Sequence, residues 1–307
     1  MVQKKTKLLL LALLLAACST AERAEDAADA GKGLRQRRSG ALLQSLSANK
    51  LAGPQPNKAK AQRQVSKLEA ALDKKEEGSP KDAYFALIAA ERIAGVPFEQ
   101  LLHRAQSLAE LELQQGIVGS DWEGLKLELA LAALKQGKYG YAATTLEELS
   151  SAKNKRVRAG AKNALGLLAI YDEHIPEAVR FWQEALQAAP DYEAALLNLG
   201  YLSLKYGAFE EAQKYFERLG ADNGIVQSGL EVAVRLNGDN KQAGQLCALL
   251  LAQDPPHKPS VFNCGVYEWQ ARKNIPKAKK LMKQALNLEG GPADWASRGA
   301  KTLESLP

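Results

Sequence analysis

Residues 198–212 read NLGYLSLKYGAFEEA, and two glycines interrupt the helical pattern of this stretch. A glycine inside a helix costs about 1 kcal/mol relative to alanine, so Gly200 needs a structural reason. The chain as a whole has the composition of a helical protein, because aromatic residues make up only 6% of its 307 residues and long β-branched runs are missing. Because glycine is costly at this position, we expect another part of the fold to approach the backbone closely at Gly200.

The same pattern occurs 34 residues earlier, where residues 164–178 read ALGLLAIYDEHIPEA. In this alignment Gly166 matches Gly200, and Trp182 matches Phe216. A 34-residue period that carries Leu-Gly, then alanine, an aromatic residue, alanine and proline is the pattern of tetratricopeptide repeats (TPRs). These two units therefore resemble TPR motifs.

The TPR resemblance implies an all-α fold, in which helix pairs stack into a right-handed superhelical array. In TPR units the first helix presses against the second at the glycine, which explains Gly200 as a packing residue. Gly207 is expected to end the first helix, since a glycine in the left-handed conformation commonly follows the last helical residue. One pair cannot bury its apolar face alone, so stability comes from stacking.

The repeat frame extends in both directions with weaker matches, and it predicts six helix pairs from about residue 80 to 288. A leading helix is expected at 58–77, and a terminal helix near 292–305 would cap the array. The predicted boundaries are therefore 58–290 for the TPR-like repeat domain and 291–307 for the C-terminal capping helix.

The N-terminus has the features of a signal peptide, because three lysines precede the short apolar run 8–15. The run is far shorter than the roughly 20 residues that a spanning helix needs. The sequence Leu-Ala-Ala-Cys that ends at Cys18 resembles the lipobox of bacterial lipoproteins. This resemblance implies that residues 1–17 are removed and that Cys18 carries covalent lipid. An ordinary secretory signal with a chance cysteine is the alternative.

Residues 18–57 are predicted to be a flexible, disordered tether behind the lipid, because they are rich in Ala, Gly, Ser, Lys, Arg and Pro. Ser19 follows the cysteine where many inner-membrane lipoproteins carry aspartate, so the resemblance points to the periplasmic face of the outer membrane. Loss of the signal peptide leaves 38 basic against 35 acidic residues. This near balance gives no reason to expect a nucleic-acid partner.

Cys247 and Cys264 lie on either side of the turn DPPHKP, at similar distances from its middle. In an antiparallel helix hairpin such positions lie at nearly the same height, so a disulfide could form in an oxidising compartment. The alternative is two buried, unpaired cysteines that act as small apolar residues. The sequence leaves both open.

In TPR proteins the first helix of each pair lines a concave groove that binds partners. The resemblance places these residues in the groove: Asn163, Leu167, Tyr171, Leu197, Tyr201, Lys205, Arg235, Phe262 and Trp269. Because the set is largely aromatic and aliphatic, it favours a peptide or helix of another protein. The lysine and polar side chain by which some TPR proteins hold a C-terminal carboxylate are replaced by Ala194 and Leu197.

No catalytic motif of the Gly-x-Ser-x-Gly, P-loop, HExxH or CxxC type occurs in the sequence. Cys247, His257 and Cys264 match no known zinc spacing. We therefore expect a protein that is not an enzyme and has no catalytic residues, no metal and no small-molecule substrate. The covalent lipid on Cys18 takes the place of a cofactor.

These features favour a lipid-anchored scaffold of the outer membrane that binds envelope proteins. Its layout is similar to that of pilotins, which assemble secretin channels for type IV pili, and of TPR lipoproteins in gliding-motility machines. An adaptor that recruits cell-wall hydrolases or synthases is the second hypothesis. A cell-wall-active enzyme is the third, although it would need an acidic pair in a cleft that the sequence does not indicate.

Overall fold

A computed structural model describes residues 58–73, 80–114, 122–220, 224–253, 256–288 and 293–306. Within those ranges the chain forms fourteen helices joined by turns, and no strand. The helices belong to two compact units, of which the first ends at Ala189 and the second begins at Pro190. The all-helical class is therefore confirmed. The predicted signal peptide, Cys18 and the tether lie outside the described residues.

Unit 1 contains the first seven helices, and consecutive helices pack against each other. Their bounds are α1 Lys58–Asp73, α2 Pro80–Ala94, α3 Phe98–Gln114, α4 Glu123–Lys135, α5 Tyr139–Leu149, α6 Lys155–Tyr171 and α7 Ile175–Ala188.

Unit 2 contains the other seven, packed in the same consecutive way. Their bounds are α8 Glu193–Lys205, α9 Phe209–Glu217, α10 Gly224–Leu236, α11 Asn240–Leu251, α12 Lys258–Gln270, α13 Ile275–Asn287 and α14 Ala293–Glu304.

The predicted helix pairs are confirmed, as α2/α3, α4/α5 and α6/α7 in unit 1 and α8/α9, α10/α11 and α12/α13 in unit 2. One residue is inserted in the last pair, and the structure places it in the turn, where residues 271–274 separate α12 from α13. The corresponding turn 206–208 between α8 and α9 is one residue shorter.

Glycines on the first helices allow the second helices to approach closely. A β-carbon added to Gly200 of α8 would lie 2.9 Å from the ring of Phe216 on α9, and one added to Gly229 of α10 would lie 2.6 Å from the same ring. In unit 1, a β-carbon on Gly166 would collide with Trp182 in the same way. The second helices therefore pack against bare backbone, as the repeat frame predicts for Gly200.

The turn after each first helix requires a left-handed residue. Gly207 has φ 77° and Gly238 has φ 93°, so glycine ends α8 and α10 as expected. Glu173 takes the same position after α6, with φ 63°, and Lys273 lies one residue further beyond the end of α12, with φ 56°. The backbone geometry of the repeat is thus kept even where its usual residue is missing.

The last helix, α14, packs against α13 at the end of unit 2. Buried Leu306, just after α14, forms a cluster with Ala278 and Met282 of α13. Phe262 and Trp269 of α12 pack against this cluster. The C-terminal segment thus covers apolar surface that a further helix pair would otherwise bury.

We predict that Gly200→Ala lowers the free energy of unfolding by up to about 2 kcal/mol, measured by urea denaturation. Alanine favours a helix by about 1 kcal/mol over glycine, but overpacking costs typically 1–3 kcal/mol, and the buried Phe216 ring has little room to move. In a Phe216→Leu background the same substitution should cost much less, because the ring is gone. Ser203→Ala, on the partly exposed side of α8, is the control. An equal cost of Gly200→Ala in both backgrounds would contradict the contact.

Candidate functional site

Two of the predicted groove residues in unit 1 are buried. Asn163 and Leu167 of α6 are 3% and 2% exposed, and the backbone oxygen of Asn163 accepts a hydrogen bond of 3.1 Å from the indole nitrogen of Trp182. The prediction that they meet a partner is wrong for this structure, because both side chains are buried. Tyr171 is half-buried and lies against Tyr139, with 4.5 Å between ring centroids. Burial raises the pKa of Tyr139, and the neighbouring Tyr171 adds to this shift.

In unit 2, two more predicted groove residues serve the packing. Leu197 is 1% exposed. The ring of Tyr201 meets the ring of Phe216 edge-on at 5.0 Å, and its hydroxyl donates a 3.0 Å hydrogen bond to the backbone oxygen of Ile225. Burial raises the pKa of Tyr201. Although part of its surface remains accessible, Tyr201 is a packing residue that joins α8, α9 and α10.

Phe262 and Trp269 also differ from the prediction. Both are half-buried and pack against the cluster of Ala278, Met282 and Leu306. This cluster, to which the C-terminal segment contributes Leu306, therefore takes up part of the surface that the two aromatic side chains were expected to offer to a partner. The repeat frame placed them correctly on the first helix of a pair, but it could not show what covers the last pair.

An accessible row remains on unit 2, at the ends of its three first helices. It consists of Lys205, Leu236 and Gln270, which are the last residues of α8, α10 and α12 and are all exposed. Leu236 is one of the large apolar residues that the fold leaves exposed, at 43%. We call this set the accessible row. Arg235 lies beside it on α10.

The pair α10/α11 departs from the packing of the other pairs at two facing positions. The position of the close-contact glycine on the first helix carries, in chain order, Ala130, Gly166, Gly200, Glu231 and Gly265. The facing position on the second helix carries Leu146, Trp182, Phe216, Cys247 and Met282. Among these five pairs, only α10/α11 carries a charged residue in place of the small one, and there cysteine replaces the large apolar side chain.

Glu231 is fully buried and forms an ion pair within α10. Its Oε1 accepts a 2.9 Å hydrogen bond from Nε of Arg235, and its Oε2 has no hydrogen-bond partner in the described part of the chain. Burial raises the pKa of Glu231 to about 7, although the charge and the hydrogen bond of Arg235 act in the opposite direction. Arg235 in turn donates from Nη1 to Oε1 of Gln270 on α12, at 2.6 Å.

A disulfide joins Cys247 of α11 to Cys264 of α12, with 5.4 Å between the Cα atoms. Both residues are buried, at 4% and 0% exposure. Of the two alternatives that the sequence leaves open, the structure has the bridge. The bridge links α11 of the irregular pair α10/α11 to α12 of the next pair. Cys247 stands at the position where the other compared pairs carry a large apolar side chain.

Sequence reasoning placed Arg235 at a partner-facing position but missed Glu231 and Gln270. A signal for Glu231 was available, because Gly207 and Ala212 recur 31 residues later as Gly238 and Ala243. The same offset puts a glutamate in the place of Gly200. The contact with Gln270 could not be read from the sequence, since it depends on how α10 and α12 pack.

Unit 1 has a second buried carboxylate. Glu91 of α2 is 2% exposed and pairs with Nε of Arg104 on α3 at 2.5 Å, while Nη2 of Arg104 pairs with Glu69 of α1 at 2.7 Å. Burial raises the pKa of Glu91, against the opposing effect of Arg104. These contacts join three consecutive helices, and the geometry indicates a structural role.

Within the described ranges, no group of three or more His, Cys, Asp or Glu side chains is arranged to hold a metal ion. The two cysteines near His257 are bonded to each other. None of the helices there is both long enough and apolar enough to cross a membrane.

Residues 169–224 match the tetratricopeptide repeat family, which covers the end of α6, the helices α7 to α9 and the start of α10. Among curated proteins none matches the chain. TPR units typically bind other proteins rather than catalyse reactions, so the matched segment indicates a protein-interaction scaffold.

We predict that Glu231 makes the free energy of unfolding fall as the pH rises. The unfolded carboxyl group titrates near 4.5 and the folded one at about 7, so the folded state binds more protons between these values. This contribution is fully present below pH 4.5 and is lost above pH 7, with a total of about 3 kcal/mol. Between pH 5 and pH 8, urea denaturation should show a loss that is smaller by about this amount in Glu231→Gln than in the wild type, because the raised pKa of Glu91 contributes a loss to both proteins. The exposed Glu210→Gln control should behave like the wild type, and a Glu231→Gln variant that keeps the full loss would rule out the buried carboxylate as its source.

Proposed function

We propose that this protein is a lipid-anchored scaffold on the periplasmic face of the outer membrane, which binds envelope proteins through the first helices of its TPR-like pairs. The proposal joins two lines of support: the match to a protein-binding repeat, and the features of the chain that favour an oxidising envelope compartment.

Protein binding is supported by what the packing leaves accessible. The accessible row of Lys205, Leu236 and Gln270 carries one basic, one apolar and one amide side chain at equivalent positions of three helices. Residues that are accessible at equivalent positions of stacked helices can meet successive parts of one extended partner. An exposed leucine at the centre of the row suits an apolar contact of that kind.

The disulfide is the observation that carries the envelope location. Disulfides persist in secreted proteins and in the bacterial periplasm, whereas cytosolic thiols are kept reduced. Cys247 and Cys264 are bonded in the interior of unit 2. The lipobox-like sequence that ends at Cys18 is consistent with the same compartment, and a chain with several acyl groups stays on a membrane almost permanently.

Among envelope roles, assembly of a type IV pilus secretin or a gliding-motility complex is the first hypothesis, because the layout of anchor, tether and TPR-like array resembles lipoproteins of those machines. Recruitment of cell-wall hydrolases or synthases is the second. Both require the same anchor and the same protein-binding face, and they differ in the identity of the bound protein.

We predict that Cys18→Ala prevents lipid attachment and releases the protein from membranes. The thiol of Cys18 is the only group in the lipobox-like sequence that can form the thioether to lipid. Metabolic labelling with an alkyne fatty acid should mark the wild type and leave the variant unmarked, and fractionation should move the variant to the soluble fraction. Ser19→Ala, beside the cysteine, is the control for labelling. A Cys18→Ala variant that is still labelled would end the lipoprotein hypothesis.

We predict that a photo-crosslinking amino acid at position 236 captures a defined envelope protein in living cells. Leu236 is at the centre of the accessible row, whereas Leu249 is more exposed, at 58% against 43%, but lies on the second helix of the pair. Position 249 is therefore a matched control that should give no specific product. Mass spectrometry of the product at 236 would distinguish a secretin or motility component from a cell-wall hydrolase or synthase.

Equal crosslinking at positions 236 and 249 would contradict a binding face on the first helices. Crosslinking at 249 alone would move the binding face to the second helices.

A further inference from the structure

Arg235 is held in place from two sides. Glu231 accepts from its Nε at 2.9 Å, and Gln270 accepts from its Nη1 at 2.6 Å. The first contact lies within α10 and the second reaches α12, so the plane of the guanidinium is fixed relative to two helices. A side chain that is already ordered loses little conformational freedom when it binds a ligand.

The contacts with Glu231 and Gln270 use Nε and Nη1 of this guanidinium, which leaves Nη2 as its remaining donor. The Arg235 side chain keeps 8% of its surface exposed. Leu236, the next residue on α10, is exposed as well. A partly exposed arginine with a remaining donor therefore precedes an exposed apolar residue.

The ion pair of Glu231 and Arg235 stands in place of the glycine contact that packs the other pairs of unit 2. The other two first helices of unit 2 carry glycine where α10 carries Glu231, and Cys247 stands at the facing position, where those two pairs carry Phe216 and Met282. A buried carboxylate with one unsatisfied oxygen weakens the fold, and pairing it with arginine does not usually outweigh the loss of its hydration. Departures from a local packing rule concentrate at functional positions, and here the departure orients one arginine.

The ends of the first helices of unit 2 and the turns that follow them carry net positive charge, although exposed Glu210 and Glu211 begin α9 directly after the first of these turns. The residues that end the first helices of unit 2, and the turns that follow them, expose Lys205, Arg272 and Lys273, against the single carboxylate of Asp239. That carboxylate accepts a hydrogen bond from the backbone of Gln242, at the start of α11. The net positive charge complements an acidic partner.

We propose that Nη2 of Arg235 binds a side-chain carboxylate of an acidic segment in the partner protein, and that an apolar residue next to that carboxylate covers Leu236. The assignment rests on the proposed protein-binding function, and it specifies the chemical groups that the partner presents to unit 2. The site differs from a clamp for a C-terminal carboxylate, because the anion is a side chain and one oriented arginine holds it. Arg235 is thus a specificity-determining residue, and Glu231 and Gln270 position it.

The test measures binding of two rhodamine-labelled, C-terminally amidated peptides to the purified protein by fluorescence anisotropy. One peptide is GLEELEG, and the other is its neutral counterpart GLQQLQG. Because a hydrogen bond between charged groups is about twice as strong as a neutral one, the acidic peptide should bind about tenfold more tightly than the neutral one. Equal binding of the two peptides by the wild-type protein would overturn the proposal.

Variants then test which residue causes the preference for the acidic peptide. Glu231→Gln/Arg235→Gln removes both charges together, so no buried charge is left unpaired, and it should bind both peptides equally. Glu231→Gln alone keeps an acceptor for Nε and should keep the preference. Arg272→Gln removes an exposed arginine of the same unit and should also keep it. Melting curves followed by circular dichroism establish that each variant is folded at the temperature of the binding assay.

If the double variant still binds the acidic peptide more tightly than the neutral one, the role of Arg235 is overturned. Loss of this preference in both Glu231→Gln and Arg272→Gln would overturn that role as well. Crosslinking at position 236 separates this failure from that of the proposed function. If the specific product at 236 persists while the peptide preference is absent, the scaffold function stands and only the acidic chemistry is wrong. If both are absent, the binding face itself is wrong.

Discussion

The contact between a bare glycine and a large buried side chain organises the packing of each unit. In unit 2 the Phe216 ring lies between Gly200 of α8 and Gly229 of α10, so one aromatic side chain sets the spacing of three helices. In unit 1, Trp182 meets Gly166 and also donates a hydrogen bond to the backbone of Asn163. Side chains on the glycines would separate the helices, and the apolar faces that the pairs bury would then be exposed to water.

The pair α10/α11 shows what happens when this contact is given up. Glu231 replaces the glycine, Cys247 replaces the large side chain, and the disulfide to Cys264 supplies a covalent link to the next pair. A bridge of this kind constrains the unfolded chain and can contribute about 3 kcal/mol, which is comparable to the cost of the buried carboxylate. The irregular pair therefore remains part of the stack while it orients Arg235 at the surface.

More of the fold than of the candidate site could be predicted from the sequence. The 34-residue alignment and the glycines gave the helix pairs and the role of Gly200, because backbone contacts of this kind require specific residues. The partner-facing residues were less predictable, since Asn163, Leu167 and Leu197 stand at positions that the neighbouring helices cover. Phe262 and Trp269 pack against a cluster that combines two residues of α13 with Leu306 from the segment after the last pair. Which first-helix positions stay accessible depends on packing between helices, and a single sequence does not encode that in any local pattern.

NMR titration of the Glu231 side-chain carboxyl carbon in labelled protein is the most direct test of the central claim. The claim is that a buried ion pair in unit 2 replaces the packing contact found in its other pairs. The structure predicts a midpoint at about pH 7, because burial disfavours the charged form more than Arg235 stabilises it. A midpoint at the ordinary value of 4.5 would contradict this account, because burial would then not disfavour the charged form of Glu231 more than Arg235 stabilises it.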